Sequence, residues 1–253
     1  MDKWISLCTA TKNRLWQLKQ TLPVNLANLI DGVEINIVDF CSNDGTSEWI
    51  MSNFIEDINK GRLRLFQIKE EIEWNASKAK NLSHCLATSS YLFNLDCDNF
   101  LLFEDYEAIL PHIKKFNIHQ WDRKWDSGTY GRIGIKKETF FGLGGYDEEM
   151  KPMGGQDTDL LLRLQFVDMP PYFINKPPAK SPIKNTSQDK IKECLVDFEK
   201  YKFLNHEIVV SNLYRSLLLR EPDQEGLKFF TNRLKMGENI KDIEREFKAS
   251  NEF

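Results

Sequence analysis

The first hundred residues alternate four times between apolar runs of strand character and stretches whose apolar residues recur at helical spacing. Trp4 to Ala10 is the first run; after Thr11-Lys12-Asn13-Arg14 come Leu15, Leu18, Leu22, Leu26 and Leu29. The second, Val33 to Phe40, carries Asp39 at its end and passes through Cys41-Ser42-Asn43-Asp44-Gly45-Thr46, which supplies turn and helix-cap chemistry, to Ile50, Phe54 and Ile58. The third, Arg62 to Ile68, leads through Trp74 to Asn81 into Leu82 and Leu86, and a fourth closes at Asp96. Such alternation predicts an α/β fold, Rossmann-like, with a mostly parallel sheet flanked by helices and its ligand outside the carboxyl ends of the strands. Asp39, Asp96 and Asp98 fall at such ends.

The fourth run reads Tyr-Leu-Phe-Asn-Leu-Asp-Cys-Asp over residues 91–98. On a strand, residues i and i+2 face the same side, so Asp96 and Asp98 can address one divalent cation while Cys97 turns away. Hard carboxylate oxygens suit Mg²⁺ or Mn²⁺, which keep positions open for substrate phosphates. An isolated Asp-x-Asp also occurs in ordinary surface loops, so the reading rests on what surrounds it.

Composition narrows the class. A net charge of −4 over 253 residues gives no nucleic-acid footprint. No apolar stretch is long enough to span a membrane, and charged Asp2 and Lys3 precede only a short run, so no signal peptide is expected. Cys8, Cys41, Cys85, Cys97 and Cys194 have no paired spacing, which predicts reduced thiols and a cytoplasmic location. His84, His112, His119 and His206 show no metal-ligand spacing and are expected in helix or surface roles.

Further along stand Gly144-Gly145-Tyr146-Asp147-Glu148 and Gly154-Gly155-Gln156-Asp157-Thr158-Asp159-Leu160. Together with Thr9 to Arg14, Ile37-Val38-Asp39 through Gly45-Thr46, Asn75 to Asn81 and Asp96-Cys97-Asp98, and in this order, they resemble glycosyltransferases of the GT-A fold. The set is similar to family 2 and, in its last two motifs, to the β-1,4-galactosyltransferase type, and it covers roughly residues 4–187. The resemblance implies an inverting, metal-assisted hexosyltransferase that moves a hexose or N-acetylhexosamine from a nucleotide sugar, most often a UDP-sugar, to a hydroxyl of a glycan or glycoconjugate. Asp39 would accept from the nucleobase, or else order the following turn. Thr9, Ala10, Asn13 and Arg14 would line the nucleotide pocket, although Arg14 also suits a solvated first helical turn. Lys78, Lys80 and Asn81 would approach the diphosphate and donor sugar, with exposed helix-face lysines as the alternative, and Asp96 would reach the donor ribose or the metal. Asp157 would be the general base, with Tyr130, Gly155, Gln156 and Asp159 towards the acceptor. Asp157 and Asp159 also suit the first turn of a helix, where acids complement the dipole. Trp121, Trp125 and Tyr130, beside Arg123, Lys124 and Asp126, have the composition of a carbohydrate-stacking wall or of core.

Two departures bear on chemistry. Gln156 stands where the related galactosyltransferases carry Glu. The histidine that often completes the metal site is missing, and Asn185 lies nearest its place, so Asp98, Asp96 and Asn185 would hold the cation, with a shift from Mn²⁺ towards Mg²⁺. A Pro-rich segment, residues 169–182, precedes a charged helical tail, which gives two expected domains, 1–187 and 188–253. The tail, with Leu213 to Asp223, Glu225-Gly226-Leu227 and Phe247 to Phe253, resembles a small all-helical domain of unknown function related to phycobilisome linker modules. It reads either as a docked bundle or as an adaptor for a protein partner. A rival to catalysis is a nucleotide-sugar or glycan-binding module whose site has decayed.

Overall fold

The computed structural model describes residues 4–124, 127–150 and 154–185 and parts of 207–249. Seven strands form one sheet in the order β3-β2-β1-β4-β6-β5-β7. The first four are β1 (Ile5–Thr11), β2 (Val33–Asp39), β3 (Leu63–Gln67) and β4 (Tyr91–Asn94), all parallel, with β1 between β2 and β4. β5 (Ile118–His119) and β6 (Ile133–Lys136) follow; β6 runs antiparallel to both β4 and β5, and β7 (Tyr172–Phe173) lies parallel to β5 at the edge.

The helices that cover the sheet follow from side-chain alternation. In β1 and β4, Ile5, Leu7, Tyr91 and Phe93 join one apolar cluster, while Cys8 and Leu92 join another. The first cluster packs against Leu18, Leu22 and Leu26 of α1 (Leu15–Ala27), Ile50 of α2 (Thr46–Asn53) and Tyr106 and Ile109 of α5 (Phe103–Ile113). The second takes Phe140 of α6 (Lys137–Gly142) and Leu160, Leu161 and Leu164 of α7 (Gln156–Phe166). Short α3 (Ile55–Asn59) leads to β3, and α4 (Ala76–Cys85) sits over β1 and β2. Because both faces are covered, polar strand residues such as Ser6, Glu34 and Asn36 are buried along with the apolar ones.

One local expectation changes. β4 ends at Asn94, so Asp96-Cys97-Asp98 is a turn, closed by the Asn99 amide donating to the Asp96 carbonyl at 2.9 Å. Strand spacing therefore does not align the two carboxylates; the turn does. The antiparallel β6 brings its amino end, not its carboxyl end, to the carboxyl ends of the parallel strands. The Pro-rich segment does not leave the sheet domain: it contributes β7, and Ile174 behind it is buried in the main core.

The described residues of the tail include two further helices, α8 (Gln224–Lys235) and α9 (Ile240–Ala249). Asp223 caps α8, accepting from the Gly226 amide at 2.7 Å, as its position before Leu227, Phe230 and Leu234 predicts. Val210, Tyr214, Leu234, Ile243 and Phe247 form its core, against which Phe166 at the end of α7 packs. The expected boundary at residues 187 and 188 lies outside the described residues. Among the described residues, no helix is long and apolar enough to cross a membrane.

Candidate active site

At the carboxyl ends of β1 and β4 a cavity of about 530 Å³ opens. One wall is the β1–α1 turn, Ala10 to Arg14, with Gln17; another is Trp74, Ala76 and Lys80. Asp96, Cys97 and Asp98 form the floor, and Gly128, Gly154, Gln156, Asp157 and Asn185 close the far end. Cys97 borders the cavity while its side chain packs against the main core. A larger cavity, about 1100 Å³, lies at the opposite ends of the strands beside Trp4, Tyr91, Leu110 and Lys136, and it gathers none of the residues expected to act.

The centre of the site is a buried cation between two acids. Asn75 caps α4 by accepting from the Lys78 amide at 2.9 Å, which starts the helix so that Lys80 falls on the covered side. Gly154 and Gly155 have φ of +97° and +82°, conformations open to glycine at little cost, and they turn the chain so that Asp157 enters the first turn of α7. Lys80 Nζ donates to Asp157 Oδ1 at 2.8 Å and Oδ2 at 3.1 Å and lies 3.4 Å from Asp96 Oδ1. Its side chain is 8% exposed and that of Asp157 is 15% exposed. Burial would strip the ammonium of its proton, but Asp157 and Asp96 outweigh it and drive the Lys80 pKa upward. Burial pushes the Asp157 carboxyl above the usual range, and the Lys80 charge pulls against that shift.

This triangle depends on a residue that carries no chemistry. A Cβ on Gly131 would stand 2.7 Å from Asp96 Oδ2 and 3.3 Å from Asp157 Oδ2 and Asn94 Nδ2. The close approach of the β6 entry to both carboxylates therefore requires glycine there. Asn94 supports the same contact, its amide donating to Asp96 Oδ1 at 3.1 Å and to the Gly131 carbonyl at 2.8 Å. Gly131→Ala is expected to destabilise the protein by about 1–3 kcal/mol, the usual cost of overpacking, and to lower any activity of the site further than the stability loss accounts for. Urea unfolding measured beside ligand binding checks this; unchanged binding would mean that the carboxylates can move apart freely.

Asp98 is the second feature of the floor. Burial and then the neighbouring Asp96 push its carboxyl up to about 7, although Asn99 Nδ2 donates to it at 2.7 Å. A buried acid beside a second carboxylate makes a donor set whose repulsion a hard divalent cation would relieve. Asn185 lies on the same wall, its Oδ1 accepting from Gln17 Nε2 at 2.9 Å, and an amide oxygen suits such an ion. Among the described residues no three His, Cys, Asp or Glu side chains are arranged so that they could together hold a metal ion. The residues thus fit an ion completed by water and ligand oxygens rather than one caged by protein.

Other residues expected at the site serve the scaffold. Asp39 is fully buried and absent from the cavity wall; it accepts from the Ser42 amide at 2.9 Å and from the Ser47 hydroxyl, which is the turn-ordering role. Thr9 donates to the Leu95 carbonyl at 2.7 Å, tying β1 to the acidic turn from behind. Asn13 lines the cavity but also accepts from the Asn43 amide at 2.8 Å, with φ of +55°. Lys78 is exposed away from the cavity. Asn81 holds the Gly144-Gly145-Tyr146 turn, accepting from the Tyr146 amide and donating to its carbonyl, both at 2.8 Å. Asp159, expected towards an acceptor, is 1% exposed and paired with Arg163 at 2.5 Å, so it braces α7 instead. Tyr130 lies off the cavity wall, edge-on to Trp121 at 4.9 Å and His119 at 5.1 Å. Trp125 and Asp126 lie outside the described residues. Gln156 does reach the cavity, 7% exposed, with Oε1 lacking a partner among the described residues. His84 is a core residue, stacked on Phe140 at 4.6 Å and held neutral by burial, its pKa lowered to about 3.

Trp74, Gln17, Asn94 and Gly131 were not legible as site residues. Trp74 adjoins the Asn75 to Asn81 motif, which is a signal of a kind; the others carry none.

The order of strands, the acidic turn after β4 and the glycine turn before α7 define the GT-A fold, and solved structures share it. S. aureus TarS (residues 1–349) aligns with a TM-score of 0.61 at 13% identity, covering 82% of this chain and 65% of that one. The same protein in complex with UDP-GlcNAc gives 0.64 at 12% identity, with 90% and 70% covered. The mannosyltransferase PcManGT from Pyrobaculum calidifontis, in complex with GDP-Man and Mn²⁺, gives 0.57 at 15% identity, with 92% and 69% covered. The chain thus spans less than two thirds of the first of these. By sequence, residues 197–253 match the domain of unknown function DUF4214, in keeping with the helical tail. Comparison with curated proteins finds no match.

Proposed function

We propose that this protein is a glycosyltransferase that takes a hexose or N-acetylhexosamine from a nucleotide sugar, with UDP-sugars first among the candidates, and passes it with inversion to a hydroxyl of a glycan or glycoconjugate. The observation that carries the reading is the convergence of Asp96, Asp98, Asp157 and Lys80 in one cavity at the carboxyl ends of the strands. UDP-GlcNAc bound to TarS and GDP-Man with Mn²⁺ bound to PcManGT, both of the same fold, support it.

Asp157 is the general base: a carboxylate with raised pKa, on a rigid first turn, suited to take the proton of the attacking hydroxyl. Lys80 offsets negative charge on the departing diphosphate. Asp98, with Asp96 and Asn185, would hold Mg²⁺ or Mn²⁺, which when bound stabilises the same charge. Gln156 presents an amide oxygen for a donor or acceptor hydroxyl. The helical tail is an adaptor for a partner or acceptor. One observation favours a non-catalytic binding module instead: Lys80 contacts both oxygens of Asp157, which lowers its availability as a base.

The test is nucleotide diphosphate release from UDP-, GDP- and dTDP-sugars with Mn²⁺, Mg²⁺ or EDTA, beside Asp98→Ala. Metal-dependent release from one donor, reduced about tenfold or more in the variant and at least as good with Mg²⁺ as with Mn²⁺, is expected. Release indifferent to metal and to Asp98 would refute the metal assignment.

A further inference from the structure

Resting on the nucleotide-sugar reading, we infer that the nucleobase is recognised by stacking on Trp74 and not by a hydrogen bond to Asp39. The topology lays the cavity out in order. Trp74 lies between β3 and α4, the turn from Ala10 follows β1, Asp96 and Asp98 follow β4, and Gly128 precedes β6. Because the strands stand in the order β3-β2-β1-β4-β6, the sequence of walls runs from an aromatic end, through the acids, to Asp157. A nucleoside diphosphate sugar with its diphosphate near Asp98 and its anomeric carbon near Asp157 has its base at the Trp74 end.

That end offers a ring, and the acids that line the cavity, Asp96, Asp98 and Asp157, lie away from it. Trp74 meets Phe40 edge to face at 5.7 Å and packs with Ala10 on the small cluster of Val38, Phe40 and Ala79, so its ring is held in place. Asp39 is fully buried and off the cavity wall, where the Ser42 amide and the Ser47 hydroxyl each donate to one of its oxygens. Reading a uracil ring N–H would require uncovering that buried carboxylate. An aromatic platform accepts any base, because every base has a π face. The consequence is weak discrimination among nucleobases, with the diphosphate and sugar setting specificity.

The experiment follows Trp fluorescence and calorimetric titration with UDP and GDP, in the presence of Mg²⁺, on the wild type, Trp74→Ala, Trp74→Phe and Asp39→Asn. Trp74→Ala is expected to weaken UDP and GDP alike by about 10- to 100-fold, Trp74→Phe to restore most of the loss, and Asp39→Asn to leave affinity unchanged; wild-type affinities for UDP and GDP should agree within about tenfold. Wild-type binding that Trp74→Ala leaves untouched, or a preference for UDP above about 100-fold that Asp39→Asn abolishes, would overturn this inference while leaving the transferase reading standing. Absence of nucleotide binding by the wild type would overturn both.

Discussion

Asp157→Asn is expected to lower sugar transfer by about 10²- to 10⁴-fold, the usual contribution of a general base, while nucleotide affinity stays at the wild-type level. The amide has the shape of the carboxylate and keeps an oxygen for Lys80, so the pocket is preserved, but it cannot take a proton from the acceptor. Because the side chain sits in the first turn of α7 behind two glycines in left-handed conformations, no neighbouring acid can swing into its place. Asp159 is committed to Arg163, and Asp96 already lies beside Lys80. Single-turnover transfer beside calorimetric titration with nucleotide separates the outcomes. Unchanged transfer would remove Asp157 from the chemistry, and loss of binding together with transfer would make it a binding group.

The largest effect on stability is expected from Lys80→Met. The ammonium is the only cation within contact of Asp157 and Asp96 among the described residues, and its removal leaves a buried carboxylate facing a half-exposed one. Breaking a buried pair from one side costs about 3–5 kcal/mol, since the remaining charge has neither water nor a partner. Asp96 is 35% exposed, which lets water relieve part of the strain and puts the expectation at the lower end. Urea unfolding with an unchanged slope would measure it. Combining Lys80→Met with Asp157→Asn should recover part of the loss, since the double variant buries no unpaired charge there; strictly additive losses would mean that the pair contributes nothing as a pair.

The two variants also separate the roles of one contact. Lys80 pairs with Asp157 and lies beside Asp96, and under the proposed reading a bound diphosphate would compete for the same ammonium. Both acids are held by one cation.

Much of this could be read from the residues. Four alternating runs gave the parallel half of the sheet to within one or two residues at the strand ends, because the apolar residues that pack each strand against its helices cluster in short segments bounded by turn chemistry. Asp96, Asp98, Asp157 and Lys80 were expected to act and do meet in one cavity. Asp39 and Asp159 were equally conspicuous and are spent on the scaffold, one in a turn, the other on Arg163. A carboxylate at a strand or helix end looks the same in sequence whether it faces the cavity or the backbone behind it. Gly131 illustrates the reverse case, a position whose requirement is the absence of atoms and which no local pattern announces.

The sequence by itself determined the class of fold, the order of the elements and which charged groups come near the strand ends, because periodicity and turn chemistry are local properties. The tertiary structure alone decided which of those groups share a cavity, that Lys80 bridges Asp157 and Asp96, and that Trp74 rather than Asp39 stands on the wall. Those facts turn on contacts between residues far apart in the chain, such as 80 with 157 and 96 with 131, and on the desolvation that burial imposes on charges that would be ordinary in water.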